Sequence, residues 1–350
     1  MLTTRGGFML NERKLKILQA IIQDYIETAA PVGSRTLSKR YDLGVSPATI
    51  RNEMADLEDL GFIIQPHTSA GRVPSDRGYR LYVDQFMSLK KIKAIEQDCL
   101  VLDLLREIGE IEQVLQYSSR ILSQLTNYAA IGLAPQMKES KLEHIQLVPI
   151  DSNHMVMIII TDNGIIKKPV IRLNDEISDN NIQIISNFLN DRLHGLSIKN
   201  IETKLIKSLS MERIHFSNLI EKIILEIFQS LDEISNIDIF LNGVMNIFNL
   251  PEYNDILKAK SFLRLLEEKE LLSSLITSFE EGGLSISIGS ENIYEEVKDC
   301  SLVTATYKID DTILGWLSVI GPTRMDYSTV VSVMTQVSGF IMELLKNRYR

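Results

Sequence analysis

The chain has 350 residues, 45% of them apolar and 24% charged, with a net charge of −9. That length favours two or three domains, and that much apolar side chain is enough for a sizeable core. The longest wholly apolar run, Met155 to Ile160, is far too short for a membrane span, and the first residues lack the apolar stretch of a secretory signal. The two cysteines, Cys99 and Cys300, are far apart and show no CxxC spacing, which reads as two buried thiols of a cytoplasmic protein with no membrane partner.

The first predicted helix runs from Asn11 to about Thr28, with Leu15, Leu18, Ile21, Ile22, Tyr25 and Ile26 at helical spacing. Pro31 and Gly33 end it. Ser34 reads as the cap of a second helix that turns Leu37 inward and Arg35 and Lys39 outward. Gly44 suits the left-handed position of a tight turn. Ser46-Pro47 is a strong start signal for a third helix, serine capping and proline sitting where its missing N–H costs nothing. Along it Ile50, Met54 and Leu57 share one face, Ala48, Asn52 and Ala55 the opposite face, and Gly61 ends it. Phe62-Ile63-Ile64 then reads as a strand, followed by the polar loop Gln65-Pro66-His67-Thr68-Ser69-Ala70-Gly71-Arg72.

Beyond this head, Tyr79 to about Lys93 reads as a connecting helix, and 94–127 stay helical. The stripe Leu100, Leu104, Ile108, Ile111 and Leu115 is core or a dimer seam, core being the default without a sustained heptad register. From Glu143 the period changes. His144 to Ile150, Met155 to Thr161 and Ile165 to Leu173 are strand-like, and Asp162-Asn163-Gly164 is a hairpin signal. Residues 177–232 are helical again. Ile237 to Leu241 is a short strand, Lys258 to about Phe279 a helix, and Leu284 to Ile288, Ser301 to Lys308 and Thr312 to Ile320 three more strands. An amphipathic helix from Tyr327 to about Leu345 closes the chain. Antiparallel strands with helices on one face make an α+β body, and the helical stretch between its strand sets reads as inserted.

Two helices around a glycine turn, then a strand and a loop with one arginine, set a helix into a DNA groove with a wing beside it. Ser46, Ala48 and Thr49 are slim enough for close approach to base edges. Asn52 suits a bidentate contact to adenine, and Arg51 reaches guanine or a phosphate. Arg35, His67, Thr68, Ser69 and Arg72 complete the DNA-binding set, with Arg72 and the loop on the DNA backbone or in the minor groove. The alternative for such a head is a small helical domain that binds protein, or nothing. Residues 1–90 hold 12 lysines and arginines against 10 acidic residues, net +2, which leaves −11 for the rest of the chain. Such a head binds DNA weakly on charge alone, so specificity must come from paired half-sites and direct readout.

No GxxxxGK[ST], GxGxxG or HExxH is present, and His144 and His154 lack a third ligand nearby. Gly321-Pro322-Thr323-Arg324 is either an anion cradle or a strand-to-helix turn whose arginine pairs with an acidic surface, the second being the default. No enzyme activity, cofactor or metal is expected.

The segments PVGSRTL, SPATIRNEMADLEDLGFIIQPHTSAGRVPSDRGYRLYVD, CSLVTATY and GWLSVIGPTRMDYSTVV closely resemble the heat-inducible transcription repressor HrcA family, over about residues 11–88 and 284–345. The resemblance implies a bacterial repressor that binds an inverted-repeat operator upstream of chaperone genes. It also implies a winged-helix head, a GAF-like domain interrupted by an insertion, a homodimer, and a GroEL-type chaperonin that keeps the repressor active. The leader Met1 to Met9 extends ahead of the family's usual start and is given no function. Together these readings place a winged helix-turn-helix at 1–90, a GAF-like antiparallel sheet domain at 91–174 and 235–350, and an inserted, mainly helical dimerisation region at 175–234. The alternative function is a regulator controlled by a small effector held in the C-terminal domain.

Overall fold

The computed structural model describes residues 2–3, 9–67, 70–90, 111–134, 141–162, 166–173, 178–197, 200–201, 222–230, 238–279, 283–309 and 312–348. They divide into two compact units, Met1–Ala134 with Asp238–Arg350, and Pro135–Ile237.

A short antiparallel pair, β1 (Leu2–Thr3) and β2 (Met9–Leu10), precedes the head. Helix α1 (Glu12–Thr28) is capped by Asn11, whose side chain accepts from the Lys14 N–H, and buries Ile17, Leu18, Ile21 and Ile22. Helix α2 (Ser34–Arg40) buries Leu37. Ser34 is its first helical residue rather than its cap, and Gly33 takes the cap position with no side-chain bond. The reason lies one residue earlier. Val32 pairs in strand fashion with Arg72, so the backbone stays extended through Gly33 and turns helical at once. Gly44 has φ 64°, the left-handed turn expected of it. Helix α3 (Pro47–Asp59) starts as its sequence signals, with Ser46 accepting from the Thr49 N–H, and Gly61 at φ 75° follows its end.

Strands β3 (Ile63–Ile64) and β4 (Val73–Pro74) form an antiparallel hairpin. Helix α4 (Asp76–Gln85) begins earlier and ends sooner than the expected 79–93, because Ser75 caps it. The chain after it is drawn onto the last helix of the body: Ser88 accepts through its carbonyl from Ser328, and the Lys90 N–H donates to Ser332. Residues 91–93 and the first part of the 94–127 stretch lie outside the described residues.

Helix α5 (Ile111–Thr126) leads into β5 (Ala129–Leu133). The chain then enters the second unit. There β6 (Leu142–Pro149), β7 (His154–Thr161), β8 (Ile166–Lys167) and β9 (Val170–Arg172) form one antiparallel sheet, with β7 pairing β6, β8 and β9. Helix α6 (Asp179–Leu193) packs on β6. Asn190 of α6 accepts from the Ile145 N–H at 2.8 Å and donates to its carbonyl at 2.6 Å, so it satisfies the free edge of β6. Ile145, Met155, Met157 and Ile159 share a core with Ile182, Ile185 and Leu189 of α6 and with Ile223 and Ile227 of the helical stretch 222–230.

The first unit resumes with β10 (Ile239–Asn242). Helices α7 (Ile256–Glu267) and α8 (Lys269–Thr277) replace the single helix expected at 258–279, since Glu268 at ψ 81° interrupts it. Strands β11 (Gly283–Ile288), β12 (Cys300–Ile309) and β13 (Thr312–Pro322) follow, then helix α9 (Tyr327–Arg348). One five-stranded antiparallel sheet results, in the order β10-β5-β13-β12-β11. Helices cover both of its faces, not one. Tyr307 bonds Ser338 of α9, whereas its neighbour Thr306 points the other way and bonds the Phe279 carbonyl just after α8.

Two expectations change here. The strands within 142–172 belong to the second unit, not to the sheet formed by the C-terminal strands, and that unit opens at Pro135 rather than near 175. The cause is the separate core just described, into which β6 and β7 direct their alternate apolar residues.

The head is seated on the body of its own unit. Tyr79 of α4 stacks at 5.7 Å, tilted, on Tyr327. Arg80 donates to Glu291 and to the Ile286 carbonyl, and the Asp76 carboxylate accepts from the Ser290 N–H at 2.8 Å. Arg324 forks onto both oxygens of Glu252 and donates to the Ile26 carbonyl at the end of α1. This is the acid-paired turn, not an anion cradle.

Candidate nucleic-acid interface

Helix α3 exposes the face opposite its buried residues along its whole length. Ser46, Pro47, Ala48, Arg51, Asn52 and Ala55 are exposed, while Ile50, Met54 and Leu57 are buried against α1 and α2. Thr49 is half-buried, with its hydroxyl 3.0 Å from that of Ser46. Both hydroxyls serve the helix start, and they leave the surface there narrow. No carboxylate lies between Ser46 and Asn52. The unpaired N–H groups of the first turn add a partial positive charge at the same place.

The acidic residues of α3 lie further along; Asp59 is exposed at the helix end, and neighbours hold the other three. The Lys14 ammonium is 2.8 Å from Glu53 and 2.8 Å from Asp56. Glu58 receives the Arg72 guanidinium. The helix is thus electrostatically split, with a cationic and polar N-terminal half and an acidic C-terminal half, three of whose four carboxylates pair with the rest of the head.

Arg35 is exposed at the start of α2. Arg40, at the far end of that helix, is bound to the buried Asp24 of α1, which locks the first two helices together. His67 is exposed in the loop between β3 and β4. Thr68 and Ser69 lie outside the described residues. The loop is closed by Gln65 donating to the Ala70 carbonyl and by the Ala70 N–H donating to that of His67. Arg72 is placed differently from the loop cation the sequence suggested. It ends the loop just ahead of β4, and its guanidinium is turned to α3. Glu58 was absent from the sequence-derived set. A pairing across 14 positions, between a helix end and the end of a loop, follows no spacing rule.

Among the described residues no group of His, Cys, Asp and Glu could hold a metal, and no helix is long and apolar enough to cross a membrane. His154 is turned to Asp151 in its own hairpin.

Fold and site define a mixed α/β protein of antiparallel sheets whose small helical head offers one slim, carboxylate-free helix end to a ligand. The family model described as HrcA protein C terminal domain matches residues 112–331. The heat-inducible transcription repressor HrcA of Alkaliphilus metalliredigens (strain QYMF) is 59% identical over 341 residues, which cover 97% of this chain and 99% of that protein. Its counterpart in Clostridioides difficile (strain 630) is 45% identical over 335 residues, covering 95% of this chain and 98% of that one. A crystal structure of a hypothetical protein shares the fold, with a TM-score of 0.65 at 24% identity, over 96% of this chain and 97% of the other. The chain belongs to the HrcA family of heat-inducible transcription repressors, and its activity is the repression of transcription.

Proposed function

We propose that the chain represses heat-shock genes by binding an inverted-repeat DNA operator as a two-fold dimer. The head, about residues 1–90, acts as a winged helix. The observation that carries this reading is the exposed, carboxylate-free N-terminal half of α3, with Arg51 and Asn52 pointing outward. Slim residues around a long amide and a guanidinium suit a major groove, where Asn52 pairs with adenine and Arg51 with guanine or phosphate. Arg35, Ser46 and Thr49 flank the phosphates, and the His67 to Ser69 loop lies along the adjacent backbone.

The five-stranded sheet, its first strand β5 separated by the second unit from its other four, supports a GAF-like body. Its interior is filled by large side chains such as Tyr307, Tyr327 and Leu115, all buried. That favours control through a protein partner over control through a small effector. The second unit supplies the dimer contact. Ile166, Val170, Ile184 and Leu225 are each at least half exposed there, which is costly for a lone protomer. A GroEL-type chaperonin assists the assembly of a body built from separated segments, and heat withdraws that help.

The test is footprinting of refolded protein on promoters of chaperone genes, with and without chaperonin and ATP. Protection of an inverted repeat, with a larger active fraction when chaperonin is present, is the expected result. No protected site would end the DNA reading. Equal active fractions, together with a small metabolite that shifts affinity, would transfer control to an effector.

A further inference from the structure

The hairpin beside α3 is very short. Its ladder has two residue pairs, Ile63 with Pro74 and Ile64 with Val73. A two-stranded ladder that short does not hold its own angle to a neighbouring helix. Other ties must set it, and the structure contains them at both ends of the ladder. The Arg72 backbone exchanges two hydrogen bonds with Val32, at 2.8 and 2.9 Å, just before α2. Gly71 permits that approach, since a side-chain carbon there would meet the Val32 carbonyl oxygen at 2.6 Å. On the other leg Arg77 lies 4.7 Å over the Phe62 ring and donates to the Leu60 carbonyl. Between the hairpin and the acidic end of α3 runs one forked ion pair. Nε and Nη2 of Arg72 lie 2.8 and 2.7 Å from the same carboxylate oxygen of Glu58.

That pair decides what Arg72 does. A phosphate at this guanidinium would sit beside the Glu58 carboxylate, which already occupies two of its nitrogens and would repel a second anion. A direct backbone contact by Arg72 therefore requires the pair to break. With the pair intact, Arg72 fixes the angle between hairpin and helix instead. We propose that Arg72 and Glu58 are positioning residues for operator recognition, holding the 65–71 loop at the angle that lets it meet the DNA backbone while Arg51 and Asn52 occupy the groove. This rests on the DNA reading of the head and assigns Glu58, an acidic residue, a favourable role in binding a polyanion.

The sign for Glu58 makes the idea testable. If Glu58 were only a negative charge near DNA, Glu58→Gln would tighten binding. If it positions the hairpin, the same change weakens binding. The experiment uses the full chain and a duplex carrying the inverted repeat, with affinity measured across a salt series. Arg72→Ala and Glu58→Gln should each lower operator affinity about fivefold, the scale of one partly exposed ion pair. Neither should change the slope of log affinity against log salt. The exchanged pair, Glu58→Arg with Arg72→Glu, should recover most of the loss. Amide hydrogen exchange at Ile63, Ile64 and Val73 should quicken in both single variants without DNA. Glu58→Gln binding as tightly as the unaltered protein or tighter, with a slope reduced by about one in Arg72→Ala, would overturn the proposal and make Arg72 a phosphate contact. Asn52→Ala serves as the separate arm for the DNA reading. No loss in that variant would remove the reading, and the proposal with it.

Discussion

Arg324 joins three parts of the chain that are remote in sequence. Its guanidinium forks onto Glu252 ahead of α7 and also holds the Ile26 carbonyl of α1, and the side chain is only 10% exposed. Arg324→Ala would leave a half-buried carboxylate and a helix carbonyl without this donor. Removing one partner of a buried pair costs about 3–5 kcal/mol, and the partial exposure of Glu252 reduces that to roughly 2–3 kcal/mol here. Denaturant unfolding should show the loss, and a change under about 0.5 kcal/mol would mean that the head is not held this way. Cys300 gives a second test at this scale. Burial pushes its thiol up to about 12, although a contact with the Tyr253 hydroxyl works in the opposite direction. Iodoacetamide at pH 8 should leave the Cys300 peptide unmodified in native protein and alkylate it only in denaturant. Rapid native labelling would show that the thiol is not enclosed as described. The outward placement of Arg51 and Asn52 was readable from helical periodicity, because burial on a helix repeats locally. The pairing of Arg72 with Glu58 and that of Arg324 with Glu252 were not readable, because tertiary packing alone brings those groups together.

Among the elements, α3 was legible to the residue. Ser46 and Pro47 carry a start signal whose physics is local, and Gly61 supplies the stop. Strand β5 was missed, although it lies inside the five-stranded sheet. Its sequence, Ala-Ala-Ile-Gly-Leu, has one β-branched residue and no alternation, because both faces are covered and helix α5 packs close. Small residues there answer to packing. A side-chain carbon at Gly132 would come within 2.8 Å of the Leu115 carbonyl oxygen, and neither backbone can yield easily. Gly132→Ala should therefore destabilise the first unit by about 1–3 kcal/mol, as overpacking does. An unchanged thermal midpoint would show that α5 and β5 have room between them. The strands of the second unit raise the opposite problem. Their strand character was read, with 165–173 taken as one strand where the structure has two, but a β-rich run does not say which sheet a strand joins, and the described strands here pair among themselves.

For the whole molecule, a head of net charge +2 gains little from nonspecific attraction, so on the proposed reading a dimer that doubles it supplies the operator affinity. The exposed Ile184 and Leu225 of the second unit make that dependence testable. Ile184→Glu with Leu225→Glu should shift the protein toward monomer in sedimentation and weaken operator binding in parallel. A variant that stays dimeric would move the interface elsewhere.

The most direct test of recognition through α3 compares the full-length protein with its Asn52→Ala variant at one salt concentration, on the operator duplex and on a scrambled duplex of equal length. Loss of a bidentate contact to a base predicts an operator affinity lower by about 1–3 kcal/mol in the variant, with binding to the scrambled duplex nearly unchanged. Equal affinities of the two proteins for the operator would contradict it, and the exposed end of α3 would not be the surface that reads DNA.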